Sequence, residues 1–435
     1  PSRQSPNIHA SMAAWLVARG NKLDSDVEIL YRPFRTLSQG EQMKVMLAVL
    51  FSGQHEFLNI DEPTNHLDFD ARQTVKKYLK GKNGFILISH DRDFLDDIID
   101  HVLVLNRKSI EVQAGNFSGW WENKARKDAF SQAENEKHLK EISSLKRASE
   151  RSARWAEKNE NTKIGFDPVR EHDRFLDTRA YIGAKTKKMQ ARRKNYDIRI
   201  EREIRSKEGL LQDIEKSVDL KLMPQKYYKD TLIYAQDYTF QFRNQELPLI
   251  SHFNFSLKQG ERIFLHGKNG CGKSTFMKQI LAVSKGSGTC GIGADRQEEK
   301  PVVSGELMVC LGLHISYISQ DTGFLHGTIK EYCRQNDFDE SLFLAILRQL
   351  DMDRVQFEKT MENYSEGQKK KVLIAGSLLT PAHLYIWDEP LNYIDVFSRI
   401  QIENLILKSQ PTMLVVEHDV RFRDKIATKI VEDFK

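Results

Sequence analysis

The sequence predicts an α/β protein built from two copies of one strand–helix module, the first copy incomplete, joined by a long α-helical hairpin arm. Three observations carry this. Residues 225–435 alternate strand-like and helix-like stretches, from "ERIFLHG" and "KSTFMKQILAV" to "TMLVVEHD", the pattern of a parallel sheet with helices against it. Residues 37–115 repeat the later part of that order: "TLSQGEQMKVMLAVL", "FLNIDEPTNHLD" and "FILISHD" align with "NYSEGQKKKVLIAGSL", "LYIWDEPLNYID" and "TMLVVEHD". Residues 116–224 differ from both, being rich in Lys, Arg, Glu and Ala and nearly free of β-branched runs.

Composition supports that division. The chain has 435 residues, 40% of them apolar, enough for two or three domains of roughly 100–200 residues with real cores. Apolar runs such as Ile86–Ile88 and Val102–Leu105 have strand length, and none approaches the ~20 residues of a membrane span. No secretory signal pattern opens the chain. The cysteines (Cys271, Cys290, Cys310 and Cys333) are too scattered for a C-x-x-C motif and too few for a disulfide framework, so a reducing, cytoplasmic location is expected. The net charge of +5 is unevenly placed. Lys137 to Arg199 hold 18 Lys and Arg against 9 Asp and Glu, so the rest of the chain is net negative.

The expected parts are, in order, residues 1–115 as the later portion of the first module, 116–224 as the arm and 225–435 as a complete second module. In the arm Leu139, Ile142 and Leu145, then Tyr196, Ile200, Ile204, Leu211, Ile214 and Val218, recur at helical spacing. Gly165, Pro168 and Gly183 interrupt the pattern and place a tip loop at about 161–184. A helix from about 118 to 160 would be roughly 65 Å long at ~1.5 Å per residue.

The second module carries the chemistry. "HGKNGCGKST" fits the P-loop pattern between an apolar strand and a helix. Gly267, Asn269, Gly270 and Gly272 let backbone N–H groups close around a phosphate, Lys273 reaches the β- and γ-phosphates, and Ser274, followed by Thr275, ligates Mg²⁺. At the end of "LYIWDEP" Asp388 is placed to orient Mg²⁺ and Glu389 to polarise an attacking water. His418 in "VVEHD" suits a γ-phosphate contact, against the plainer reading of a structural histidine. Gln320 in "ISYISQD" is a candidate for sensing Mg²⁺ and the lytic water, although glutamines are common at strand ends. Phe242 is the candidate for stacking on adenine, with Tyr238 and Phe240 as competitors and a core role as the alternative.

P-loop, Gln, Ser-x-Gly-(Gln/Glu), Asp-Glu-Pro and a later His, in that order, resemble the ATP-binding cassette (ABC) family over nearly all of both repeats. Two cassettes without a membrane segment, joined by a charged two-helix linker, resemble the ABC-F translation factors. "LYRPFRTLSQGEQ", "YSEGQKKKVLIAGSL" and "LYIWDEPLNYIDVF" are similar to the Lsa/Vga-type ribosome protection proteins, which counter lincosamides, streptogramins A and pleuromutilins. The resemblance implies a monomer whose two cassettes pair head to tail around ATP and Mg²⁺. Ser38, Gly40 and Glu41 would then complete the site of Lys273. Asp61, Glu62 and His90 would work with Ser365 and Gly367 at a second site, whose P-loop, glutamine and stacking residue are not in the 435 residues. Tyr364-Ser365-Glu366 and Asn392-Tyr393-Ile394-Asp395 depart from the Leu-Ser-Gly and Asn-His-Leu-Asp forms, which predicts asymmetric sites. Residues 284–304 form a longer loop than the family usually has.

A basic helical segment alone is most simply a solvated hairpin. Joined to an ATPase with no transport domain, it fits an output element for a phosphate-rich partner. Arg170, Arg174, Phe175, Tyr181, Lys185, Lys187, Lys188, Arg192, Arg193 and Lys194 mix cations with aromatic rings, which suits structured RNA. The resemblance implies the 70S ribosome as partner, with the arm entering the tRNA exit site toward 23S rRNA and the P-site tRNA, and no transmembrane subunit. A housekeeping translation factor is the alternative; a DNA-maintenance ATPase and a transporter subunit are more distant ones.

Overall fold

The computed structural model describes residues 32–51, 57–65, 67–105, 109–161, 191, 194–207, 221–243, 245–286 and 301–432. The chain divides into two compact units. One joins Pro1–Ser118 with Ser217–Lys435; the other is Gly119–Lys216. Both repeats therefore share one unit.

The first repeat comprises α1 (Gln39–Leu50), β1 (Leu58–Asp61), α2 (Phe69–Lys80), β2 (Phe85–Ile88), α3 (Arg92–Ile98), β3 (His101–Leu105) and β4 (Ile110–Ala114). Strands β1 and β2 pair in parallel, and β3 and β4 form an antiparallel hairpin. Its helices start on side-chain caps. Ser38 forms a capping box with Glu41, Asp68 accepts from the Ala71 N–H, and Asp91 accepts from the Phe94 N–H. Leu47, Ile60, Leu67, Val75, Leu79 and Phe94 form its small core.

Helix α4 (Phe117–Asn161) runs 45 residues, about 67 Å at 1.5 Å per residue, with its first two residues in the repeat-bearing unit. The returning helix, α5, covers 194–207. Lys207 Nζ meets Glu141 Oε2 at 2.5 Å and Ser149 Oγ donates to Asp197 Oδ1 at 3.3 Å, which sets the two helices antiparallel. Ile142 and Ile200, two of the periodic apolar positions, are buried, whereas Leu139 and Tyr196 remain exposed. The tip, with Arg170, Arg174, Phe175, Tyr181, Lys185, Lys187, Lys188, Arg192 and Arg193, lies outside the described residues, as do Leu211, Ile214 and Val218.

The second repeat begins with β5 (Thr231–Gln241), β6 (Ile250–Lys258), β7 (Arg262–Leu265), α6 (Lys273–Ser284), β8 (Val302–Val309) and β9 (Ile315–Ile318). It continues with α7 (Ile329–Gln335), α8 (Glu340–Gln349), α9 (Glu366–Leu379), β10 (Leu384–Asp388), α10 (Val396–Ser409), β11 (Met413–Val416), α11 (Val420–Ile426) and β12 (Lys429–Val431). Its parallel sheet has the order β12–β7–β11–β10–β9, and a second, antiparallel sheet has the order β6–β5–β8. Residues 302–304, expected within the long loop, instead open strand β8, and 287–300 lie outside the described residues. Strand β10 is buried at every position, as a central parallel strand covered on both faces requires. Asp61 pairs with Ile88 and Asp388 with Val416, so both repeats carry the same register at the acidic end of the strand.

Charged side chains join the repeats. Arg72 donates from NH1 to Asp91 at 3.0 Å in its own repeat and to the carbonyl of His418 at 3.1 Å in the other. Arg92 pairs with Glu403, which is fully buried and also accepts from Lys425 at 3.0 Å. Arg421 of α11 pairs with Asp96 of α3. The same carboxylate accepts from the Ser118 N–H at 2.7 Å, capping one of the free N–H groups at the root of α4.

Candidate functional site

The P-loop leaves β7 and ends at α6. Gly270 and Gly272 hold left-handed φ values of +81° and +101°, and a Cβ at Gly272 would meet Ile250 at 3.0 Å, so both conformation and space call for glycine there. Lys273 is buried, its ammonium donating to the carbonyls of Gly267 and Lys268, both at 2.8 Å.

Opposite the loop stands the capped start of α1 from the first repeat. A cavity of about 710 Å³ between them is lined by Ser38, Gly40, Glu41 and Lys44 on one side. Lys268, Asn269, Gly270, Gly272, Lys273, Ser274, Thr275, Gln320 and Glu389 line the other. Asp68, Asp70, Ala71 and Thr74 of the first repeat extend the lining. The repeats thus meet head to tail here, a helix N-terminus facing a phosphate-type loop.

Behind the cavity lies a buried acidic pair. Asp388 is fully buried, and neither of its oxygens has a protein partner within hydrogen-bond geometry. Burial pushes its carboxyl up to about 6, partly offset by the Ser274 hydroxyl. An orphaned buried carboxylate beside a serine hydroxyl fits Mg²⁺, which takes few protein oxygens and completes its shell with phosphate and water. Among the described residues no group of three or more His, Cys, Asp or Glu stands ready to hold a metal unaided. Ser274 and Asp388, with Gln320 nearby, would hold the ion, and the ion would neutralise phosphate charge.

Glu389 adopts φ +48° and is buried. Its Oε2 accepts from Gln320 at 2.9 Å and from Asn392 at 2.7 Å, while Oε1 lies 3.7 Å from His418 Nε2, an electrostatic contact longer than a hydrogen bond. Burial pushes the carboxyl up, but His418 and Gln320 outweigh it and hold Glu389 below the usual glutamate range, ionised and able to take a proton from water. Glu417 braces the turn that carries His418: it accepts from the backbone N–H of Leu391 at 3.1 Å and of His418 at 2.7 Å.

The first repeat mirrors this pair. Glu62 has φ +45°, and its Oε1 lies 3.6 Å from His90 Nε2. Here burial pushes Glu62 up to about 7, with Arg399 opposing and Asp61 adding to the rise, and burial together with Arg399 pushes His90 down to about 4. Ser365 forms a capping box with Gln368 at the start of α9, and a Cβ on Gly367 would meet the Tyr393 carbonyl at 2.6 Å. The two glutamate environments are unequal. Among the stacking candidates, Tyr238 and Phe240 are buried in the core. Phe242 is half-buried against Phe240, ring centroids 5.1 Å apart, and is not part of the cavity lining.

Residues 250–392 match the ABC transporter family. This stretch resembles an ABC ATPase domain. The ABC likeness extends beyond it, through both repeats and the arm. The chain is 29% identical to the putative ATP-binding protein YdiF of Bacillus subtilis, over 92% of this chain and 55% of that protein. It is 27% identical to the ribosome protection protein VmlR of the same organism, over 91% and 68%. ABC transporter F family member 5 of Arabidopsis thaliana is 26% identical, over 91% and 51%. The chain thus spans about half to two thirds of the length of these relatives. In fold it is similar to the RNase-L inhibitor, with a TM-score of 0.53 at 19% identity, covering 98% of this chain and 66% of that one. An archaeal ribosome recycling factor, solved with a ribosomal stalk protein, scores 0.52 at 19% identity over the same shares. The chain is thus similar to ABC-type ATP-binding proteins, F-family members among them, and no helix among the described residues is long and apolar enough to cross a membrane.

The motifs indicated the ABC residues on both sides of the cavity. Lys44, Asp70, Ala71, Thr74 and Lys268 are lining residues that the motifs do not indicate. Lys268 sits inside the quoted P-loop pattern, and Lys44 is a cation less than two turns beyond Ser38 on the same helix.

Proposed function

We propose that the chain is a cytoplasmic ABC-F ATPase that works on the 70S ribosome. It protects the peptidyl-transferase centre against lincosamide, streptogramin A and pleuromutilin antibiotics by placing its arm at the tRNA exit site, near 23S rRNA and the P-site tRNA. The observation that carries the ATPase part is the cavity in which Ser38, Gly40 and Glu41 of one repeat face Lys273, Ser274 and Glu389 of the other. ATP with Mg²⁺ bound there would draw the repeats together, and hydrolysis through Glu389 would let them part. Similarity to a ribosome protection protein over 91% of the chain supports the ribosomal part.

With Glu389→Gln and Glu62→Gln combined, ATP binding persists while hydrolysis falls by at least about a hundredfold, a loss of the size expected for a general base. The protein then co-sediments with ribosomes in ATP. A variant that leaves the ribosome as freely as the wild type would refute the cycle. A second reading is a translation factor without drug specificity; the likeness to YdiF, a putative ATP-binding protein, is of equal depth and speaks for neither reading over the other. Expressing the gene in a sensitive host separates the two: raised inhibitory concentrations of lincosamide and pleuromutilin support protection, and unchanged ones support the second.

A further inference from the structure

Lys370 lies on α9, four residues beyond Glu366, with only 3% of its surface exposed. Its ammonium donates to the carbonyl of Ser319 at 2.9 Å, the residue before Gln320. Among the described residues it has no carboxylate within ion-pair distance. A lysine buried on these terms is costly, and the structure around it explains its place. Strand β9 ends at Ile318, so residues 319–322 leave the sheet and lose its ladder. Glu366, one helical turn before Lys370, accepts from the Thr322 hydroxyl at 2.6 Å. One face of α9 therefore fastens both ends of the short segment that carries Gln320, and Gln320 in turn donates to Glu389 at 2.9 Å. The first repeat has Met43 at the matching position, so the shared fold does not need a lysine there.

We propose that Lys370 is a positioning residue for ATP hydrolysis, which with Glu366 clamps residues 319–322 and so aims the Gln320 amide at Glu389. This rests on the proposal that the cavity hydrolyses ATP. The clamp acts on the orientation of the attacking water and not on the binding of nucleotide. It also ties the helix that begins at Ser365 to the glutamine of the Lys273 site, so each site is braced by the helix that opens the other.

Steady-state ATP hydrolysis by the chain tests it, with melting temperature and nucleotide affinity measured alongside. In Lys370→Met, which copies the first repeat, kcat falls about tenfold while KM and the affinity for a fluorescent ATP analogue stay within about twofold. Thr322→Val, which releases the other end of the segment without touching the buried charge, lowers kcat in the same way. In a Gln320→Ala background Lys370→Met adds nothing further, because both act through one amide. A wild-type kcat in Lys370→Met, or an undiminished loss in the Gln320→Ala background, would overturn the proposal. Wild-type hydrolysis in Glu389→Gln would instead overturn the reading of the cavity itself.

Discussion

Glu62 and Glu389 adopt the left-handed backbone region, at φ +45° and +48°, which side chains seldom enter and which costs of order 1–3 kcal/mol per residue. The repeats share this conformation and differ in what surrounds it. Glu389 is held ionised by His418 and Gln320, whereas Glu62 is raised to about 7 chiefly by burial. The sign of the consequence follows. A carboxyl whose folded pKa lies above its unfolded value binds its proton more tightly when folded, so its contribution to stability falls as pH rises from about 4.5 to about 7. Glu62→Gln removes that loss. Melting temperatures of the two forms should coincide near pH 4.5 and separate in favour of Glu62→Gln up to pH 7.5; a gap independent of pH would contradict the assignment.

Between elements, the buried pair of Arg92 on α3 and Glu403 on α10 is the contact most exposed to mutation. Arg92→Met leaves Glu403 buried with Lys425 alone and should cost about 3–5 kcal/mol, while adding Glu403→Leu should recover most of it. Urea unfolding of both single variants and the double variant measures this coupling. The pair also marks how far the sequence could be read. The P-loop and the acidic strand ends follow local spacing rules, and so the fold of each repeat was legible. Arg92 and Glu403 lie 311 positions apart, and their counterparts in the repeat alignment are Val420 and Lys76. No period or motif signals a partnership that exists in one direction only. Lys370 was hidden for a related reason: its partner is a backbone carbonyl, which leaves no trace in side-chain pattern.

For the molecule as a whole, the positive charge of the segment from Lys137 to Arg199 is the feature that the proposed ribosomal role would use. Glu at Lys187, Lys188, Arg192 and Arg193 together should weaken binding to ribosomes and flatten its dependence on salt, because fewer counterions are released. An unchanged slope in a salt titration would remove the electrostatic role. Apolar spacing reads as two arm helices, of which the described residues show α4 and 194–207, but what the tip would meet depends on a partner surface that spacing cannot encode. At the other end of α4, Asp96 holds both Ser118 and Arg421, and Arg421 sits three residues after His418. Linked equilibria are reciprocal. If nucleotide at the Lys273 site alters the hold of Asp96 on Ser118, then whatever grips the distant end of the arm must alter the affinity for that nucleotide by the same factor, and the root of α4 becomes a balance on which both ligands are weighed.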